Sequence, residues 1–102
     1  MERNNALERL AERVPSPCYV IDTHRLRRNL EILYDLKQKT GCKILLALKG
    51  FATWAIGDLV SRYLDGVSAS GYFEARLGAE HFGKEVHVCS PAYTPDEINK
   101  LA

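Results

Sequence analysis

The sequence predicts an α/β fold on a parallel sheet, the N-terminal portion of a (β/α)8 TIM barrel, and three observations lead there. Short apolar runs alternate with stretches of helical periodicity in three successive units from Lys43 onward, the order that builds parallel sheets with crossover helices. The clearest run, Ile44-Leu45-Leu46-Ala47-Leu48, is continuously apolar, as strands covered on both faces are. Each unit occupies about twenty residues, and eight such units close a barrel of about 250 residues, so three of them make its opening portion. A complete three-unit sheet is the alternative.

Residues 1–14 read as an N-terminal helix, because Leu7, Leu10, Ala11 and Val14 form an apolar stripe that Pro15-Ser16-Pro17 then stops. Residues 15–22 read as a strand leading into the barrel, carried by Cys18-Tyr19-Val20-Ile21. Residues 23–102 are the first, incomplete units of the barrel. Asp22 or Thr23 caps a helix whose inward side holds Leu26, Leu30, Leu33 and Leu36 or Lys37, and Gly41 supplies its stop. After the strand that ends at Lys49, Ile56, Leu59, Val60, Tyr63 and Leu64 make a helical face that closes at Asp65-Gly66. Val67 to Ser70 is the next strand, followed by a helix from Glu74 to Glu80 with Ala75 and Leu77 inward. Glu85 to Cys89 is the third strand. Thr94, Pro95 and Glu97 then spell a capping box with proline at the first helical position. No C-cap follows before Ala102, so the sequence reads as cut from a longer one.

Composition narrows the functions. The chain has 102 residues, 46% hydrophobic and 26% charged, which is globular composition. With 14 basic and 13 acidic residues its net charge is +1, offering no strong field to nucleic acid or an anionic membrane. Arg25, Arg27 and Arg28 cluster where a helix shows its wet face. No apolar run reaches the roughly 18 residues of a membrane span, and Met1-Glu-Arg-Asn-Asn-Ala lacks the order of a signal peptide, so a cytoplasmic location is expected. Cys18, Cys42 and Cys89 fit neither a disulfide framework nor a metal knuckle and read as reduced, partly buried thiols. His24, His81 and His87 lack zinc-site spacing, no phosphate-binding glycine loop is present, and no metal is expected.

Lys49 is the candidate catalytic residue. Active sites of parallel α/β folds collect at the carboxyl ends of strands, and a lysine at the rim of an apolar barrel is disfavoured as ammonium, so its neutral amine can attack a carbonyl. A lysine that ends a strand and points into water is the commoner occupant of such a position. Strand alternation sets Ala47 on the same face, where its small side chain leaves room for a ring or simply fills the barrel. Ser68 and Ser70 lie at the next strand's end, with Ser70 read as the N-cap of the following helix. Glu74 sits where a carboxylate favours the helix dipole, and Tyr93 reads as a loop-packing aromatic.

Ser16-Pro17-Cys18-Tyr19-Val20-Ile21-Asp22, then Leu26 and Asn29-Leu30, resembles the opening of the alanine-racemase-type, fold-type III pyridoxal-phosphate decarboxylases. Ala47-Leu48-Lys49 matches the A-x-K core of the motif whose lysine holds the cofactor in that family. Ornithine and diaminopimelate decarboxylases carry K-A-N or K-C-N where this chain has Lys49-Gly50-Phe51. Leu46-Ala47-Leu48-Lys49-Gly50-Phe51, Ala69-Ser70, Phe73 to Gly78 and Ser90-Pro91-Ala92-Tyr93 are instead similar to the branch that acts on carboxynorspermidine or carboxyspermidine.

The resemblance implies pyridoxal 5'-phosphate held by Lys49 beside Ala47, a small-molecule polyamine substrate, a PLP-dependent carboxy-lyase of spermidine biosynthesis, and a homodimer when full length. It also implies that the Cys18–Ile21 strand joins a C-terminal β-domain outside this chain. The remaining cofactor and substrate groups are expected from later strands, so the isolated chain is expected to be inactive. Three alternatives stay open. They are a diaminopimelate- or ornithine-type decarboxylase, a non-enzymatic PLP-binding regulator of the same barrel, and an unrelated barrel using Lys49 as a Schiff-base aldolase lysine.

Overall fold

Three parallel strands carry the molecule, and each is short because the sequence surrounds it with helix-forming segments. The computed structural model describes residues 2–102; Met1 of the expected first helix lies outside the described residues. In chain order the elements are α1 (Glu2–Ala11), α2 (Thr23–Thr40), β1 (Leu45–Ala47), a 3-10 turn (Trp54–Ile56), α3 (Gly57–Ser61), β2 (Gly66–Ala69), α4 (Tyr72–His81), β3 (Glu85–Val88) and α5 (Pro95–Leu101).

The first helix ends at Ala11 rather than Val14, since Pro15 keeps the residue before it out of helical conformation. The strand expected over Cys18–Ile21 does not form: the segment pairs with no strand, leaving Tyr19 fully exposed and Val20 50% exposed. A strand exists through its ladder, and among the described residues none of the three strands lies beside this segment.

For α2 the expected caps are present. The Asp22 side chain accepts from the Arg25 backbone N–H at 3.1 Å, and Gly41 takes the left-handed conformation (φ 72°) while its N–H reaches the Lys37 carbonyl. Leu30 is buried, with Leu26 and Leu33 packed against the core. Of the two candidates for the last inward position, Lys37 turns in and Leu36 stays 47% exposed.

The sheet has the order β1-β2-β3, all parallel. Leu46, Val67 and Val86 form one lateral row, and Ala69 aligns with Val88 on the same side. Leu48, Val67 and Ala69 are buried there with Leu30 of α2, Val60 of α3 and Ala75 of α4. Helices α2, α3 and α4 thus pack on a single side of the sheet. Gly78 lets α4 lie close, since a Cβ there would come 2.5 Å from Val67 Cγ2 and 3.5 Å from Leu48 Cδ1. All three cysteines are free and exposed, not partly buried, because each sits in a connecting segment on the surface. Among the described residues no helix is long and apolar enough to cross a membrane.

Candidate active site

The opposite side of the sheet is the uncovered one, and the period-two alternation of strands decides what it displays. Leu45, Gly66 and Glu85 form its first lateral row, and Ala47, Ser68 and His87 the second. One more step along each strand reaches Lys49, Ser70 and Cys89 at the carboxyl edge. Pairing persists that far, with the Leu48 N–H donating to the Ser68 carbonyl at 3.1 Å and the Cys89 N–H to the Ala69 carbonyl at 3.0 Å.

Lys49 and Ala47 are both exposed, whereas Leu48 between them is 4% exposed in the helix-covered core. Ala47 thus lies on the uncovered face, and Lys49 is exposed two residues on, past the end of β1. Lys49 lies in a tight turn in which the N–H groups of Gly50 and Phe51 both donate to the Ala47 carbonyl, at 3.0 and 3.2 Å. That turn ends the strand and leaves the lysine at its tip. Among the described residues Lys49 makes no ion pair.

At the amino end of the same face the charges are matched. Lys43 forms an ion pair with Glu85, and His87 Nε2 lies 2.9 Å from the other Glu85 oxygen. The Lys43 hydrogen bond, followed by that of His87, holds the Glu85 carboxyl below its ordinary value. Glu85 in turn raises the Lys43 ammonium. The unpaired amine at the carboxyl end and the matched charges at the amino end make the two ends chemically distinct.

The connecting segments at the carboxyl end converge on Ser70. Its N–H donates to Glu74 Oε2 at 3.3 Å, and its carbonyl accepts the Tyr93 hydroxyl at 3.1 Å. Ser70 is not the N-cap of α4; Gly71 takes that place and, having no side chain, offers no cap bond, while the Glu74 carboxylate at the third helical position reaches back to the Ser70 N–H. The second Glu74 oxygen, Oε1, is buried without a hydrogen-bond partner among the described residues. Burial pushes the Tyr93 phenol above its ordinary value, reinforced by Cys89 and Glu97. Neither the Tyr93 contact nor the Lys43–Glu85–His87 chain follows from reading elements one at a time. Aligning the second and third strands in register would have put Glu85 and His87 on the face of Ser68.

As a test of fit, the exposed Lys49 amine suits an aldehyde carbon such as that of pyridoxal phosphate, and Ala47 beside it leaves space for a flat ring. The Ser70 N–H at the start of α4 is taken by Glu74 and so is not offered to a phosphate. Among the described residues no group of His, Cys, Asp and Glu is disposed to hold a metal ion.

No protein-family model matches the chain. A carboxynorspermidine/carboxyspermidine decarboxylase of Herminiimonas arsenicoxydans is 41% identical over 88 residues, covering 86% of this chain and 24% of that protein. A carboxyaminopropylagmatine decarboxylase of Synechocystis sp. is 47% identical over 85 residues, 83% of this chain and 22% of that protein. Among solved structures, carboxynorspermidine decarboxylase from Campylobacter jejuni, complexed with norspermidine, matches with a TM-score of 0.84 at 41% identity over 86% of this chain and 24% of its own. The chain spans about a quarter of the length of the relatives it matches.

Proposed function

We propose that this chain, a homologue of the carboxynorspermidine/carboxyspermidine decarboxylases, supplies the lysine-bearing part of a PLP-dependent decarboxylase acting on a carboxylated polyamine. One observation carries the reading: within the matched region, Lys49 stands exposed at the carboxyl end of β1 with Ala47 beside it on the uncovered face of the sheet. The single-sided packing of the helices supports a barrel wall whose interior face is that uncovered side.

Bound pyridoxal phosphate supplies a ring that accepts the electron pair left on the substrate carbon as carbon dioxide departs. The chain's own residues do the rest of what is assigned here. Lys49 Nζ is the group that would hold the cofactor at its aldehyde carbon, its amine standing exposed just past β1. Ala47 keeps the floor beside that nitrogen low enough for the ring. Ser70, held at backbone N–H and carbonyl, bounds the site on the β2 side. The phosphate contacts, the partner of the ring nitrogen and the substrate-reading groups belong to the rest of the full-length protein, which we take to be a cytoplasmic homodimer of the polyamine pathway.

The relatives' names differ in the polyamine but agree in a carboxylated polyamine as the reactant, so the substrate is assigned at that level. A single methylene changes pocket preference by about 1 kcal/mol, and nothing around Lys49 measures chain length. Borohydride reduction of the full-length protein in the presence of pyridoxal phosphate, followed by peptide mapping, tests the proposal. Label concentrated at Lys49 together with carbon dioxide release from carboxynorspermidine supports it; label scattered over surface lysines, with no cofactor-dependent release, sinks it.

A further inference from the structure

The Glu74–Ser70–Tyr93 contacts do more than pack a loop. Ser70 is the first residue past β2, next to the end of β1 that carries Lys49, and its backbone is gripped from two directions. The Glu74 carboxylate comes from the first turn of α4 and takes the N–H; the Tyr93 hydroxyl comes from the segment after β3 and donates to the carbonyl. The residue after Tyr93 is Thr94, whose side chain accepts from the Glu97 N–H at 3.2 Å while Glu97 Oε2 accepts the Thr94 N–H at 2.7 Å, so the tyrosine is itself anchored to the start of α5.

We infer that Tyr93 is a positioning residue, whose hydroxyl acts with Glu74 to fix the Ser70–Gly71 turn and so to hold the wall of the cofactor site beside Lys49 in place before ligand binds. This rests on the function proposed above. Such a turn matters because groups around a reacting centre work only when held to within a fraction of an ångström. The Tyr93 hydroxyl touches neither substrate nor cofactor in this assignment; it acts through Ser70.

The test uses full-length holoenzyme and its apo form, with Tyr93→Phe removing only the donor, Glu74→Ala the acceptor, and Glu74→Gln keeping an oxygen there. In Y93F and E74A the Kd for pyridoxal phosphate is expected to rise about fivefold and kcat to fall about tenfold, with KM for carboxynorspermidine within about twofold and Tm nearly unchanged. E74Q recovers most of the loss, and the double variant is no worse than the poorer single one, because both bonds serve one turn. Cofactor affinity and kcat equal to wild type in Y93F overturn the inference, as does a loss that only follows a fall in Tm. A wild-type protein that neither binds pyridoxal phosphate nor releases carbon dioxide overturns the functional reading and the inference with it. An active wild type with a normal Y93F removes the inference alone.

Discussion

Asp65 Oδ1 pairs with Lys37 Nζ at 3.0 Å while Asp65 Oδ2 accepts the Ile44 backbone N–H at 2.8 Å. The Asp65 N–H also donates to the Ile44 carbonyl at 2.9 Å, and its carbonyl accepts from Glu85 at 3.3 Å. One residue thereby ties the last turn of α2 and the starts of β1, β2 and β3. The Ile44 hydrogen bond, then Lys37, holds the Asp65 carboxyl below its ordinary value. A depressed carboxyl stabilises the fold above its unfolded pKa, about 3.9, and the contribution disappears as pH falls through the lower folded value. The urea midpoints of wild type and Asp65→Asn should differ most above the unfolded carboxyl value and converge as pH falls through the lower folded one. A difference constant with pH would contradict this assignment.

Lys49→Arg keeps the charge but cannot form a Schiff base. Decarboxylation should fall on the order of a thousandfold or more, about 4 kcal/mol of barrier, with Tm close to wild type because the side chain is exposed. Steady-state assays with peptide mapping of the borohydride label check both parts, since the label should leave position 49 without reappearing at one other lysine.

Ala47→Leu tests the space beside Lys49. Binding of pyridoxal phosphate should weaken by about tenfold, roughly 1.4 kcal/mol. Absorbance titration of the apoprotein reads this directly, and an unchanged Kd would show that the ring does not lie over Ala47.

Gly78→Ala sets two effects against each other. Alanine favours the helix by up to about 1 kcal/mol. The new methyl, however, would stand 2.5 Å from Val67 Cγ2, and Val67 is 1% exposed with a stiff, β-branched side chain. Overpacking of this kind costs about 1–3 kcal/mol, so net destabilisation is expected in chemical denaturation.

Thr94→Ala removes the side-chain half of the capping box and should cost about 1 kcal/mol. Cofactor affinity should weaken with it if the segment that follows β3 holds Tyr93 in place.

Much of this was legible before any coordinates. Leu26, Leu30 and Leu33 announced the buried stripe of α2, Asp22 and Gly41 its ends, and Thr94-Pro95-Asp96-Glu97 the start of α5, because each depends on neighbours within one or two turns. The exposure of Ala47 follows from period-two alternation within β1, since its neighbour Leu46 enters the core. What stayed hidden depends on distant partners. Cys18–Ile21 has strand composition but, among the described residues, no strand beside it. Ser70 looks like a cap, but α4 starts at Tyr72, which puts Gly71 in that place. The Tyr93–Ser70 bond joins residues 23 apart, and no local pattern encodes it.

The alternation of β1 makes the chemistry a matter of parity. Even-numbered Leu46 and Leu48 belong to the helix-covered core, and odd-numbered Ala47 and Lys49 are exposed. A one-residue deletion between Gly41 and Lys49 would keep the composition of the strand nearly intact yet exchange the two sets, driving the amine toward the helix layer and a leucine to the open side. Substitutions along this strand adjust a site, but a frame of one residue decides whether it exists.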